Sequence, residues 1–570
     1  IRTVRRDSFR LSAETAEASL LSSGRRGIPV VADSPSAKPM DAFSGSRQTF
    51  IERLYRGANS YADRLTHEEL DAIHVDLGVD SFLLAAAADA KQIVVTGNPG
   101  DGKTHLIERL RPHLEKIGAV VITDANAATD VAILDAWHQC RSSSKAFVLA
   151  INEWPLYVLR RLARHREFTP VDEALRQVTS ARFYVASQNP EPPRDGVVVI
   201  DLSLRNVLCD SIVSGVISRL TADRFFEGLN QADPALANRE ALMHPQVQSR
   251  LLMLMSLVSD RLGHVTMRQL VGFIAYLITG GQTAAERIKA GQDPTSFSYA
   301  NLVFDGGVGS LFDGVRQIFD PAAVTHPDWD NALWTGDTDP HHWIGKQPPG
   351  PLSLPEPIRA SAYRAIKRRF FFEHASGDSL ISLVPGDEQA FLKALREGDE
   401  ATSTLVRQLV LALNRFFEPD CPDSERDRLQ LWQSHRYDVR PPSTFVALHQ
   451  LSYQQLSVLP QRFADWVSTW LPEDQRLRRS FALVAHKSSA EPVALLDIDR
   501  QLFLTLVEAE RGLGRSSWSR ITARRVTRFI DGIQRAVEQP AGVQDVRVRN
   551  VDSDLDDQFS IRREPARYQL

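Results

Sequence analysis

The octapeptide GNPGDGKT, residues 97–104, constrains this chain more than any other stretch, because it satisfies G-x-x-x-x-G-K-[ST] at every fixed position. The residues before it, KQIVV, are apolar enough for a buried strand, and those after it, HLIERL, open a helical pattern. Gly97, Gly100 and Gly102 permit backbone conformations that a Cβ would block, so successive N–H groups can turn inward as an anion nest. The helix starting near Lys103 aims its positive dipole end at the same point. Lys103 can reach β- and γ-phosphates, and the Thr104 hydroxyl can ligate Mg²⁺. The expected nucleotide contacts are Gly97, Asn98, Pro99, Gly100, Asp101, Gly102, Lys103, Thr104 and His105.

A chain of 570 residues is too long for one core and implies several domains. A hydrophobic content of 43% with 24% charged residues is that of a globular protein, and a net charge of -4 exerts no global pull toward nucleic acid or membrane. Cys140, Cys209 and Cys421 are too far apart for a zinc or disulfide pattern, so a reducing cytoplasm is expected. No apolar run approaches the roughly 20 residues of a membrane span, and the arginines near the N-terminus precede no hydrophobic signal core.

Apolar runs recur as AVVITDANAA (119–128), AFVLAINEW (146–154), RFYVASQNP (182–190) and GVVVIDLSLRNVL (196–208), separated by helical patterns. That rhythm predicts a parallel sheet covered by helices, with its ligand at the carboxyl ends of the strands. The expected fold is an α/β P-loop core with a parallel sheet, a helical lid and a large, mainly α-helical C-terminal region. The expected boundaries are a flexible arm at 1–49, the core with an N-terminal helical cap at 50–209, the lid at 210–280, an irregular Pro/Gly-rich connector at 281–360 and a mainly helical domain at 361–570. His326, Asp328, Asp330, His341 and His342 match no zinc spacing and read as turn formers. Two basic stretches stand out, YRAIKRRFFFEH around Lys367 and Arg368, and SWSRITARRVTRFIDGIQRA, whose Arg520, Arg524 and Arg528 share a helix face opposite Ile521, Val526, Phe529 and Ile533. Such a stripe suits nucleic-acid phosphates, an acidic protein surface or plain solvent.

Read on residue chemistry alone, Glu153 is a carboxylate at a strand end, Asn189 belongs to an Asn-Pro turn, and Arg268 follows the N-cap candidate Thr266 in a first helical turn. In this order, and over about residues 85–280, they resemble the AAA+ branch of P-loop ATPases. The resemblance implies ATP and Mg²⁺ as cofactors. It gives Glu153 the role of general base or water-orienting group, Asn189 that of sensor 1, and Arg268 that of sensor 2 on the lid. The family carries an acidic pair at the end of its third core strand. Here Asn152 stands in place of the aspartate and can meet the metal only as a neutral ligand, a departure that bears on turnover more than on binding. Arg194 and Arg205 are the candidates for an arginine finger lent to a neighbouring subunit.

The resemblance implies an ATP hydrolase working as a homo-oligomer, a ring or an arc. Its expected partners are DNA or RNA, or an effector protein, and no membrane. Stand-alone ATPases with a long C-terminal extension are similar to those of bacterial antiviral defence and DNA restriction systems. The second reading is a slow or non-hydrolysing nucleotide-gated switch that assembles on ATP binding and recruits a partner, for which Asn152 is the motive. A small-molecule kinase is disfavoured, because the order of motifs contains no acceptor site.

Overall fold

The computed structural model describes residues 47–55, 65–185, 189–290, 297–381, 386–397, 403–432, 444–488, 491–513, 518–537, 542–550 and 555–563. The expected N-terminal arm lies outside the described residues up to 46, as do residues 56–64 of the expected helical cap and residues 564–570.

Among the described residues three helices precede the phosphate loop: α1 (Arg47–Tyr55), α2 (His67–Ile73) and α3 (Val79–Ala88). Thr66 and Glu69 form a reciprocal capping box at the start of α2. Gly78, in the left-handed region at φ 79°, then divides into α2 and α3 a stretch that reads as one helical pattern.

The core follows as β1 (Gln92–Thr96), α4 (Lys103–Ile117), β2 (Val120–Ile122), α5 (Asp130–Ser142), β3 (Phe147–Ala150), α6 (Glu153–His165), α7 (Pro170–Ser180), β4 (Arg182–Phe183) and β5 (Val197–Asp201). Four of these strands form one all-parallel sheet in the order β2-β3-β1-β5. Neighbouring side chains of β1 serve opposite faces. Ile93 and Val95 pack with Leu83, Leu106 and Ile107, and Val94 packs with Trp137, Leu156 and Leu175. Connections leave β1 and β3 in opposite directions, which opens a crevice at their carboxyl ends.

The sequence reading places 182–190 in this sheet, and the structure corrects it. Among the described residues of that stretch only Arg182–Phe183 is a strand, and it pairs antiparallel with 462–463 from the C-terminal region. Both edges of β1 are taken by β3 and β5, and both edges of β3 by β1 and β2, so no slot is left between them.

Next come α8 (Asp210–Leu220), α9 (Pro234–Met243), α10 (Pro245–Leu262) and α11 (Met267–Thr279), the last opened by a capping box of Thr266 and Gln269. The stretch expected to be an irregular connector carries α12 (Ala284–Ala290), α13 (Tyr299–Leu302), α14 (Ser310–Ile318) and α15 (Pro327–Thr335), followed by α16 (Glu356–Glu373). Phe273, Phe304, Phe312, Phe370, Phe371 and Phe372 gather these helices and the preceding four around one core. Of the first basic stretch Arg364 is exposed, but Lys367 and Arg368 are buried and Arg369 is partly buried. Lys367 is 2% exposed and pairs with Asp330, Arg368 pairs with Asp305 and Asp320, and Arg369 pairs with Glu373.

His374, which ends α16, is 1% exposed between the rings of Trp329 and Trp343. Its Nδ1 accepts from the Ser376 N–H, and desolvation, aided by nearby His342, lowers its pKa to about 4. A histidine depressed in the fold contributes stability that is present above its unfolded value near 6.5 and lost as pH falls through about 4. Wild-type stability should therefore fall between those limits, and His374→Phe should flatten the slope by up to about 1.4 kcal/mol per pH unit. Urea unfolding followed by tryptophan fluorescence at several pH values checks this, and an unchanged slope would refute it.

The C-terminal region departs from the mainly helical expectation. It contains α17 (Gly386–Glu397), α18 (Ser403–Phe417), β6 (Arg428–Trp432), β7 (Thr444–Ser452), β8 (Leu456–Pro460), β9 (Arg462–Phe463), α19 (Asp465–Ser468), β10 (Ser480–Ser488), β11 (Glu491–Asp499), α20 (Arg500–Glu510), α21 (Arg520–Val537), β12 (Gly542–Asn550) and β13 (Leu555–Arg563). Among the described residues its other strands form two antiparallel sheets, ordered β13-β12-β7-β6 and β11-β10-β8, while β9 pairs with β4. Buried runs such as FALVA in β10 do not alternate in polarity, so periodicity cannot separate them from a buried helix. One piece leaves this region: Phe463, Val467, Trp470 and Leu471 pack into the core beneath β1. Among the described residues no helix is long and apolar enough to cross a membrane.

Candidate functional site

The loop between β1 and α4 has the geometry its glycines require. Gly97, Gly100 and Gly102 have φ of 137°, 98° and 99°. A Cβ on Gly97 would stand 2.9 Å from Asp101 Oδ2, and one on Gly100 would stand 3.1 Å from Thr266 Oγ1. The Asn98 N–H donates to Asp101 Oδ2 at 2.6 Å. Lys103 Nζ donates to the carbonyls of Gly97 and Asn98, both at 2.9 Å. Burial lowers the Lys103 pKa, partly countered by Asp101 and Asp201, while Arg268 adds to the lowering.

Beside the loop lies a cavity of about 270 Å³. Its polar wall includes Lys103, Thr104, Asp124, Asn152, Arg205 and Arg268, and its apolar wall includes Leu65, Val75, Leu77, Met267 and Val271. A phosphate-sized anion suits the first wall and a flat heterocycle the second. Pro99, Gly100, Asp101, Gly102 and His105 also line it, so most of the expected loop contacts face one space.

The other expected residues divide. Arg268 lines the cavity, and its backbone N–H donates to Gly100 O at 3.1 Å, which ties the start of α11 to the loop. Asn152 lines it as the N-cap of α6, and its side chain does not cap that helix. Glu153 is exposed in the first turn of α6, one residue outside the wall formed by Ile151, Asn152 and Pro155. Asn189 is exposed and outside the sheet, so it does not sit at the end of a core strand. Arg194 is exposed, pairs with Glu191 and precedes the amino end of β5, at the opposite end of the strands from the loop. Arg205, expected to reach a neighbouring subunit, is instead 7% exposed and lines this chain's own cavity, where burial lowers its pKa to about 10.

Asp124, His264 and His74 escaped the sequence reading. Asp124, just past β2, lines the cavity and accepts from the N–H and the side-chain amide of Asn126 at 2.9 and 3.0 Å. The signal was an apolar strand followed by a carboxylate, the same signal used for Glu153. Asp101 meets His264 Nε2 at 2.8 Å and so links the loop to the turn before α11. His74 meets Asp80 at 2.9 Å and His105 at 3.3 Å, and desolvation lowers His105 to about 4. His74, Asp76 and Asp80 could gather round a cation, but Arg109 already pairs with Asp80 and occupies that charge.

Thr104, Asp124 and Asn152 together offer hydroxyl, carboxylate and amide oxygens to one cavity, a hard donor set that suits Mg²⁺. On α21, Arg520, Arg524 and Arg528 are exposed, Arg525 pairs with Asp499, and Val526, Phe529 and Ile533 are buried. Ile521, expected toward the core, is 74% exposed. Neither protein-family models, nor curated proteins, nor solved structures give a match to this chain, so its own residues carry the functional reading.

Proposed function

We propose that this chain is a P-loop ATPase of the AAA+ type, which binds ATP with Mg²⁺ as an oligomer and couples hydrolysis to nucleic-acid remodelling or to control of an effector in bacterial defence. The observation that carries the proposal is the three-glycine loop at the start of α4, opening on a cavity shared by Lys103, Thr104, Asp124 and Arg268. Loop N–H groups and Lys103 hold the phosphates, and the apolar wall takes the base. Arg268, at the first turn of α11, compensates phosphate charge and ties the angle of that helix to occupancy. Thr104, Asp124 and Asn152 would hold Mg²⁺, which when bound supplies charge neutralisation between phosphate oxygens. Glu153 orients or deprotonates the attacking water once α6 turns its first residue inward. The exposed arginines of α21 support a nucleic-acid partner.

Steady-state ATP hydrolysis, with and without DNA or RNA, tests the proposal. Glu153→Gln should lower turnover about a hundredfold with binding retained, and Asp124→Asn should raise the Mg²⁺ concentration needed for half-maximal rate. Turnover unaffected by either substitution would exclude both carboxylates. The exposure of Glu153 and the neutral Asn152 favour the second reading, a nucleotide-gated switch. Its signature is ATP-dependent assembly without measurable turnover.

A further inference from the structure

We infer that Arg205 binds the phosphates of a nucleoside triphosphate within its own chain, held in place by a segment of the C-terminal region, rather than serving a neighbouring subunit. The inference rests on the nucleotide reading above and specifies one more residue of that site.

Arg205 is 7% exposed, and its Nε and Nη2 have no acceptor among the described residues. Besides the Cys209 thiol, the groups that attract it are two carboxylates engaged elsewhere: Asp101 with the Asn98 N–H and His264, and Asp80 with His74 and Arg109. A buried guanidinium with unmatched donors fits an anion that brings several oxygens at once, and its planar fork matches phosphate. The cavity that Arg205 lines is also lined by Gly100, Gly102, Lys103 and Thr104.

The backbone denies it a role outside the chain. Arg205 follows a 3-10 turn at Leu202–Leu204 and forms an antiparallel bridge with Arg476. On either side of it, Asn206 N–H donates to Gln475 O at 2.7 Å and Leu477 N–H donates to Leu204 O at 2.8 Å. A residue clamped at both flanks and buried cannot extend into a partner's site. The same clamp makes 475–477 the point where the C-terminal region would register an occupied cavity.

Binding of a fluorescent ATP analogue to the full chain tests this with Arg205→Ala, Arg205→Lys and Lys103→Ala. Arg205→Ala should weaken ATP binding at least tenfold while leaving adenosine binding unchanged, and Arg205→Lys should recover part of the loss. If Arg205→Ala does not fold, Arg205→Lys against wild type decides, because it keeps the charge and removes the fork: equal ATP affinity would overturn the inference. Mixing Lys103→Ala chains with Arg205→Ala chains gives the second readout. A site built within one chain stays defective in the mixture, whereas a site shared across a heterologous interface would regain full affinity at about a quarter of positions. Regained affinity would overturn the inference. If wild type does not bind ATP, the nucleotide reading itself falls. If wild type binds, Lys103→Ala does not and Arg205→Ala does, only the role given to Arg205 falls.

Discussion

Replacing Lys103 with alanine is expected to weaken ATP binding by two orders of magnitude or more, about 2.7 kcal/mol at least. The side chain already lies along the loop, with Nζ donating to Gly97 O and Asn98 O at 2.9 Å. Incoming phosphate oxygens exchange neutral acceptors for charged ones, and a hydrogen bond to a charged group is worth roughly 1.5–3 kcal/mol. Two such bonds, in a pocket where burial already disfavours an uncompensated ammonium, account for the estimate. Lys103→Arg retains the charge and changes the donor geometry, so it should fall between wild type and alanine. Calorimetric titration checks the series, and equal affinities across it would remove Lys103 from the site.

The largest effect on stability is expected at Arg287, away from the cavity. Its side chain is 0% exposed and makes a bidentate pair with Asp233 through Nε and Nη2, both at 2.9 Å. It also donates from Nη1 to Glu52 at 2.8 Å and to Gln282 O at 2.5 Å. Asp233 in turn caps α9 by accepting from the Ala235 N–H. One guanidinium thus joins α1, α9 and α12. Arg287→Met keeps most of the volume and leaves two buried carboxylates without their cation, at a cost of about 3–5 kcal/mol. Adding Glu52→Leu and Asp233→Asn should return much of that loss, because an uncompensated charge is the main penalty and an asparagine can still cap. Urea denaturation distinguishes the two variants. A single variant as stable as wild type would mean that Glu52 and Asp233 find water or another partner.

The phosphate loop was legible because its spacing is itself the mechanism: each glycine stands where φ is positive, and Lys103 and Thr104 begin the helix. Alternating apolar runs were enough for a parallel sheet. They could not order its strands, since β2 and β3 read alike and which of them borders β1 is decided by long-range pairing. For that reason no local pattern singles out Asp124 or keeps Asn189 from the end of a core strand. Arg205 reads as a cation with a task, but its direction depends on residues 475–477, some 270 positions away, which no local pattern reveals. The arginine and lysine of α16 look like a basic face until Asp305, Asp320 and Asp330 fold over them. In the C-terminal region, buried strands without alternation resemble buried helix, and only pairing separates the two.

The central claim is that residues 97–104 cradle the phosphates of a nucleotide. Its most direct test is an experimental structure of the full chain with Mg²⁺ and a non-hydrolysable ATP analogue. Polyphosphate density is expected against the loop N–H groups, with Lys103 Nζ drawn from the Gly97 and Asn98 carbonyls onto phosphate oxygen. A cavity still empty at saturating analogue, or analogue bound elsewhere with Lys103 unmoved, would contradict it.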